Sequence, residues 1–176
     1  MNKIIIIGIP GAGKTTFSVE LGAMLHIPVH HLDKIFWKQN WTSLKQDEFR
    51  KVQNELMGED RWIIDGNFTK SIDQRIILAD TVIYFDFPRS IALWRTLRRY
   101  FRYFGKVRPN MGGNNVESLK WKSIKFILMY PSNDVRNLLN QHADKKIFIF
   151  RNTSDVAVFM ERVKELPGVS SVEVIL

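Results

Sequence analysis

Cysteine is missing from all 176 residues, so neither a disulfide nor a thiolate-bound zinc can hold this chain together. Acidic side chains are missing from one whole stretch. None lies between Asp86 and Glu117, while Arg89, Arg95, Arg98, Arg99, Arg102, Lys106 and Arg108 all fall there. Such a block either attracts anions (bound nucleotide phosphates or DNA) or is a solvated basic helix face. Long apolar runs are missing too, because Lys or Arg interrupts each candidate, which excludes a spanning helix and a membrane partner of that kind. There is no signal-peptide or transit-peptide pattern, no internal repeat and no low-complexity tract, and the expected setting is cytoplasmic. With 45% hydrophobic residues, 12% aromatics and a net charge of +8, the chain has the makings of one compact, basic domain over residues 1–176.

Against these absences stands one complete motif. Gly8-Ile9-Pro10-Gly11-Ala12-Gly13-Lys14-Thr15 reads G-x-x-x-x-G-K-[ST], the Walker A pattern, with Thr16 following. It is preceded by the apolar run Lys3 to Ile7 and followed by Phe17, Leu21, Met24 and Leu25 at helical spacing. Strand, glycine-rich loop and helix form the context that gives the motif physical meaning. Glycines let the backbone curl so that its N–H groups converge on an anion, and a helix starting near Lys14 adds its positive end. Lys14 then brings a full charge to the β- and γ-phosphates, and the Thr15 hydroxyl is placed to ligate Mg²⁺.

Four further segments read as strands: Val29 to Leu32, Trp62 to Ile64 leading into Asp65-Gly66, Thr81 to Phe85, and Lys146 to Phe150. Helical patterns separate them: Leu44 to Met57 behind a Ser43 N-cap with Gln46 completing a capping box, Ile72 to Leu78, Ile91 to about Phe104, and Asp155 to Leu166 behind Thr153 or Ser154. Alternating strands and helices predict a parallel sheet covered on both faces, a three-layer α/β/α sandwich. Gly168 to Leu176 reads as a short extra strand. Residues 100–133 break the alternation as an insert that includes a loose loop over 105–115 and a helical run from Val116 to Met129.

The chain resembles P-loop kinases of the adenylate kinase and shikimate kinase type, and within them the small bacterial adenylate-kinase-like group called DNA topology modulation proteins. Four landmarks carry this in order: the phosphate loop, H-H-L-D ending at Asp33, W-I-I-D-G-N-F around Asp65, and D-F-P-R-S-I-A-L-W-R-T-L-R-R from Asp86 to Arg99. The resemblance implies a P-loop NTPase fold with a five-stranded parallel sheet in the order 2-3-1-4-5. It also implies an acceptor-binding segment at about 33–61, a helical lid at about 100–133, and ATP and Mg²⁺ as cofactors. Arg95 and Arg99 match two arginines four residues apart, which share a helix face; by resemblance Arg95 lies near adenine and ribose, Arg99 near the phosphates, and Arg136 matches a lid-distal arginine on the ATP side. Asp65 matches an acidic strand end that holds Mg²⁺ through water, and Asp33 an acceptor-side carboxylate that orients the attacking hydroxyl or helps with Mg²⁺; the other reading of each is a helix cap or turn residue. Gly66, Asn67 and Arg50 complete the acceptor set that the resemblance implies, Arg50 by the Phe49-Arg50 pair of shikimate kinases; Trp37 joins it from the aromatic cluster with Phe36 and Trp41.

The departures bear on the acceptor. Phe36 and Thr69 stand where AMP-binding kinases of this type carry phosphate-gripping arginines. Phe36, Trp37 and Trp41 either stack on a flat acceptor or pack the core, and Arg50 would look the same as a solvent-facing helix arginine. His30 and His31 are too close on a strand to face one metal and read as core or edge residues. No N-K-x-D guanine-reading motif occurs, which favours ATP over GTP. The expected protein is an ATP- and Mg²⁺-dependent kinase of an unidentified small molecule, and its rival is a nucleotide-dependent DNA-binding protein acting on DNA topology.

Overall fold

The computed structural model describes residues 1–107, 115 and 121–166. Its centre is made of isoleucine. Ile4 to Ile7 form most of strand β1 (Lys3–Gly8), and all four are fully buried. Side chains alternate between faces along a strand, so consecutive buried ones require cover on both sides. β1 pairs in parallel with β3 (Trp62–Asp65) on one side and β4 (Thr81–Phe85) on the other; β2 (Val29–His31) and β5 (Lys146–Phe150) form the edges. The sheet order is 2-3-1-4-5, as the resemblance implies. The edge strands are less buried than the central three.

The helices are α1 (Lys14–Leu25), α2 (Leu32–Phe36), α3 (Gln46–Gly58), α4 (Ile72–Leu78), α5 (Arg89–Tyr103), α6 (Trp121–Leu128), α7 (Ser132–Gln141) and α8 (Thr153–Lys164). Phe17 of α1 packs against Phe85, Phe150 and Phe159 at centroid distances of 5.2, 5.6 and 5.9 Å. These rings tie α1 and α8 to the β4–β5 half of the sheet. Among the described residues no helix is long and apolar enough to cross a membrane.

Some expected boundaries move, each for a local reason. β2 ends at His31, and Leu32 already belongs to α2, so Asp33 sits in a first helical turn rather than at a strand end. The helix expected from Leu44 begins at Gln46, capped by extended Lys45 without a side-chain bond. Ser43 cannot cap it because it is bridged to Trp37, while the Leu44 N–H donates to the Phe36 carbonyl. α8 starts at Thr153 behind Asn152, whose side chain forms a capping box with Asp155, so neither Thr153 nor Ser154 is the cap. α5 runs through Tyr103, making the first residues of the expected insert a continuation of that helix. Of the expected 116–129 helix, Trp121–Leu128 is seen; the strand expected over 168–176 lies outside the described residues.

One charge is buried in this frame. Arg75 on α4 has no exposed surface, yet it ends in carbonyls: Nη1 donates to Gly66 (2.7 Å), Nη2 to Asn67 (2.6 Å) and Phe68 (3.2 Å), and Nε to Ser71 (3.4 Å). Burial lowers its pKa to about 10, opposed by the nearby Asp65 charge; the guanidinium stays protonated at neutral pH. These bonds fix a loop whose Phe68 has a positive φ of 26°. Arg75→Met should therefore destabilise the fold by about 3 kcal/mol, since several buried carbonyls lose their donors together. For a chain of this size that lowers the thermal midpoint by about 10 °C, readable by circular dichroism.

Candidate active site

The phosphate loop is set by what surrounds its glycines. At Gly8 the chain leaves β1 with φ +138°, and a Cβ would collide with the Phe85 carbonyl; only glycine meets both demands. The Gly8 N–H donates to Asn67 Oδ1 at 2.9 Å, and the Ile9 N–H to the Phe85 carbonyl at 3.2 Å. Gly11, at φ +87°, lies against the Ala92 carbonyl and the Thr96 hydroxyl of α5. The loop is thus seated between the turn after β3 and the first turns of α5. The chain then enters α1 through Gly13, which offers no side-chain cap. The first N–H groups and the positive end of α1 are left to whatever occupies the loop.

Lys14 folds back over this cradle, its Nζ donating to the carbonyls of Gly8 (2.8 Å) and Ile9 (3.1 Å). Burial lowers its pKa; the charges of Asp65 and Asp33 push it up again, and Arg99 adds to the lowering. Beside it, Thr15 Oγ1 donates to Asp65 Oδ2 at 2.9 Å. The same carboxylate oxygen is 3.1 Å from His31 Nδ1, because the parallel register of β2 and β3 sets His31 alongside Asp65. Asp65 is buried, with 6% of its surface exposed. A hydroxyl and a carboxylate suit Mg²⁺, which takes few protein ligands and completes its shell with water and phosphate oxygens. Among the described residues no group of three or more His, Cys, Asp or Glu could hold a metal, so Thr15 and Asp65 fit only an ion carried largely by a phosphate ligand.

These groups line a cleft of about 420 Å³. Its floor is Pro10, Gly11, Gly13, Lys14, Thr15 and Thr16; one wall is His31, Asp33, Asp65, Gly66 and Asn67 from the β2–β3 side; the other is Arg95, Arg99 and Tyr103 from α5. Arg95 lies over the Phe87 ring at 5.1 Å, its Nη1 donating to the Ala12 carbonyl (2.9 Å) and its Nη2 to Thr153 Oγ1 (3.0 Å). It therefore links the phosphate loop to the start of α8. Ile9 and Ala12 are buried and, with Gly8, stand behind the cleft wall.

Three further anticipated residues do not line the cleft. Arg136 pairs with Asp86 at the end of β4, through Nε at 2.9 Å and Nη2 at 2.6 Å. Arg50 is on the exposed side of α3, and Trp37 packs edge-on against Phe36 (5.0 Å) and Trp41 (5.7 Å). Phe36 itself packs on Phe49 and Phe68 at 4.9 and 5.1 Å, which favours the core reading of that cluster. Conversely, His31 and Tyr103 line the cleft without having been anticipated. His31 lies two residues before Asp33 in H-H-L-D, and Tyr103 four after Arg99, the spacing that shares a helix face.

A family model described as an AAA domain matches residues 4–98. None of the curated proteins matches the chain. Among solved structures, the chain is similar to the shikimate kinase from Bacteroides thetaiotaomicron, with a TM-score of 0.54 and 15% identity, covering 92% of this chain and 96% of that one. It is also similar to the shikimate kinase from Acinetobacter baumannii in complex with shikimate, with a TM-score of 0.57 and 16% identity, covering 93% and 92%. At such identities the likeness is one of fold.

The Asn67 side chain joins the turn after β3 to the phosphate loop at Gly8. Asn67→Ala leaves the Gly8 N–H without its acceptor, a loss of about 1 kcal/mol. Affinity for a non-hydrolysable ATP analogue, measured by calorimetry, should fall roughly fivefold, with little change in melting. Unchanged affinity would mean that the loop keeps its shape without that bond.

Proposed function

The chain belongs to the AAA domain family, and from that premise we propose that it is a phosphotransferase moving the γ-phosphoryl group of ATP to a hydroxyl of a small molecule. The observation that carries this reading is the arrangement of charge around the cleft. Lys14 and Arg99 bring positive charge from two sides, and Asp33 stands exposed on the acceptor wall. Phosphoryl transfer asks for positioning and electrostatic stabilisation more than for covalent chemistry. The shikimate kinase neighbours support a small hydroxylated acceptor. The narrower kinship with adenylate-kinase-like DNA topology modulation proteins, the acceptor segment at 33–61, the lid at 100–133 and a cytoplasmic setting belong to the same proposal.

In this reading the phosphate loop and the α1 N-terminus hold the β- and γ-phosphates, Arg99 faces the transferring group, and Arg95 lies by adenine and ribose. Asp33 orients the acceptor hydroxyl. Its oxygen bonds to the γ-phosphorus as the bond from that phosphorus to the β–γ bridging oxygen breaks. The hydroxyl proton passes to the Asp33 carboxylate and ADP leaves. Bound Mg²⁺ supplies charge neutralisation at the β- and γ-oxygens, and Thr15 and Asp65 are the residues that would hold it, with His31 steadying the Asp65 carboxylate. A nucleotide-dependent DNA-binding role is the second reading, favoured by the exposed Arg98 and Arg102 on α5; it calls for duplex affinity that falls steeply with salt.

Lys14→Ala should cut ATP turnover by at least about a hundredfold with the fold intact. Near-normal turnover in the folded variant would remove the donor-site assignment. Asp65→Asn should raise the Mg²⁺ concentration for half-maximal turnover about tenfold, the usual scale for weakening a metal's support, whereas an unchanged requirement would take Asp65 out of the metal site. A screen of ATP turnover against nucleosides, nucleoside monophosphates, sugar acids and hydroxyaromatic acids identifies the acceptor.

A further inference from the structure

The cleft does not end at Arg99. A second cavity of about 220 Å³ opens beside it, lined by Arg95, Arg98, Arg99, Arg102 and Tyr103. Arg95, Arg99 and Tyr103 line both cavities, so the two share a wall on α5. Arg98 and Arg102 line only the second. They are four residues apart and therefore stacked on one strip of α5, three residues offset from the Arg95–Arg99 strip.

Among the described residues no carboxylate pairs with either of these two arginines. Arg89 donates to the Tyr130 carbonyl, Arg95 to Ala12 and Thr153, and Arg136 to Asp86. Arg98 lies over the ring of Trp94 at 5.8 Å, and neither Arg98 nor Arg102 makes an ion pair among the described residues. No carboxylate is near in sequence, since the chain has none between Asp86 and Glu117. Two exposed guanidiniums on one strip of a helix, with no acid beside them in sequence, offer paired charge-assisted donors to an anion. On the opposite wall the polarity reverses: the β2–β3 side contributes Asp33 and Asp65 and no lysine or arginine. An acceptor with an anionic group would be repelled there and drawn to α5.

We propose that the cavity at Arg98 and Arg102 is a second phosphate subsite, and that it takes the phosphate monoester of the acceptor while the acceptor's hydroxyl faces Asp33. This rests on the kinase reading above and adds the acceptor's class. A phosphate monoester carries about −1.5 to −2 charges at neutral pH, which matches the two cations. Guanidinium forks pair with phosphate oxygens through parallel charge-assisted hydrogen bonds. Phe36 and Thr69 stand at the positions where kinases of the resembled type place their acceptor-gripping arginines; here the grip moves across the cleft to α5.

The test loads the full-length protein with Mg²⁺ and a non-hydrolysable ATP analogue, so that the phosphate loop is filled, and then titrates ribose 5-phosphate, ribose and a single-stranded oligonucleotide by calorimetry. Ribose 5-phosphate should bind in the millimolar range or tighter and ribose should not. Arg98→Gln and Arg102→Gln should each weaken ribose 5-phosphate at least about fivefold, Arg102→Lys less than Arg102→Gln, with affinity for the ATP analogue moving less than twofold in each. Ribose and ribose 5-phosphate binding alike would overturn the subsite, and so would unchanged ribose 5-phosphate affinity in the two Gln variants, or a loss in ATP-analogue affinity as large as that for ribose 5-phosphate. Oligonucleotide binding a hundredfold tighter than ribose 5-phosphate, lost in both variants and steep in salt, would overturn the monoester assignment in favour of a phosphodiester chain. If the ATP analogue itself fails to bind, the kinase reading falls and takes the subsite with it; if the analogue binds and no phosphate-dependent titration follows, only the subsite falls.

Discussion

The structure depends on a positive charge placed where water cannot reach it. An arginine without exposed surface is costly unless its donors are met, and Arg75 meets them with carbonyls of the turn after β3. That turn carries Asn67, whose side chain receives the Gly8 N–H, and Gly8 begins the phosphate loop. A continuous line of hydrogen bonds thus runs from the interior of α4 through the acceptor wall to the loop that would hold the donor. Gly66, in the same turn, has φ +147° and packs against Leu32 at the start of α2, so the turn also sets the helix that bears Asp33. One buried guanidinium thus supports the β2–β3 wall and, through Asn67, the phosphate loop.

Electrostatically the cleft is built as two walls of opposite sign over a cationic floor. Asp33 and Asp65 come from the strand ends on one side, Arg95 and Arg99 from α5 on the other, and Lys14 lies between. The pairing of Thr15 with Asp65 on one side and His31 on the other keeps the buried carboxylate hydrogen-bonded. Without such partners its charge would be strongly disfavoured at 6% exposure. The two walls therefore present opposite charges to whatever enters the cleft.

How much of this could be read from the chain depended on how local the cause was. β4 and β5 match their expected limits because continuous apolar runs bounded by Asp, Pro or Lys leave few alternatives, and Ile72–Leu78 matches as a helix. The phosphate loop is legible because its chemistry lies within eight consecutive residues. Ser43 looked like a cap, but the hairpin that bridges it to Trp37 is a contact that no capping pattern contains. His31 enters the cleft through its register opposite Asp65, and register is a property of two strands. Arg75 and Arg50 are both helix arginines in sequence; one is buried behind a turn and the other faces solvent, a difference made only by tertiary packing. The partner of Arg136 is Asp86, 50 residues earlier, a pairing that no local pattern announces.

The Lys14 ammonium rests on the Gly8 and Ile9 carbonyls. An ammonium has three N–H donors, so those two bonds leave one for a phosphate oxygen. The cation can therefore meet a triphosphate from the place where the cradle's own backbone already holds it, and capture need not begin by breaking what keeps the lysine there.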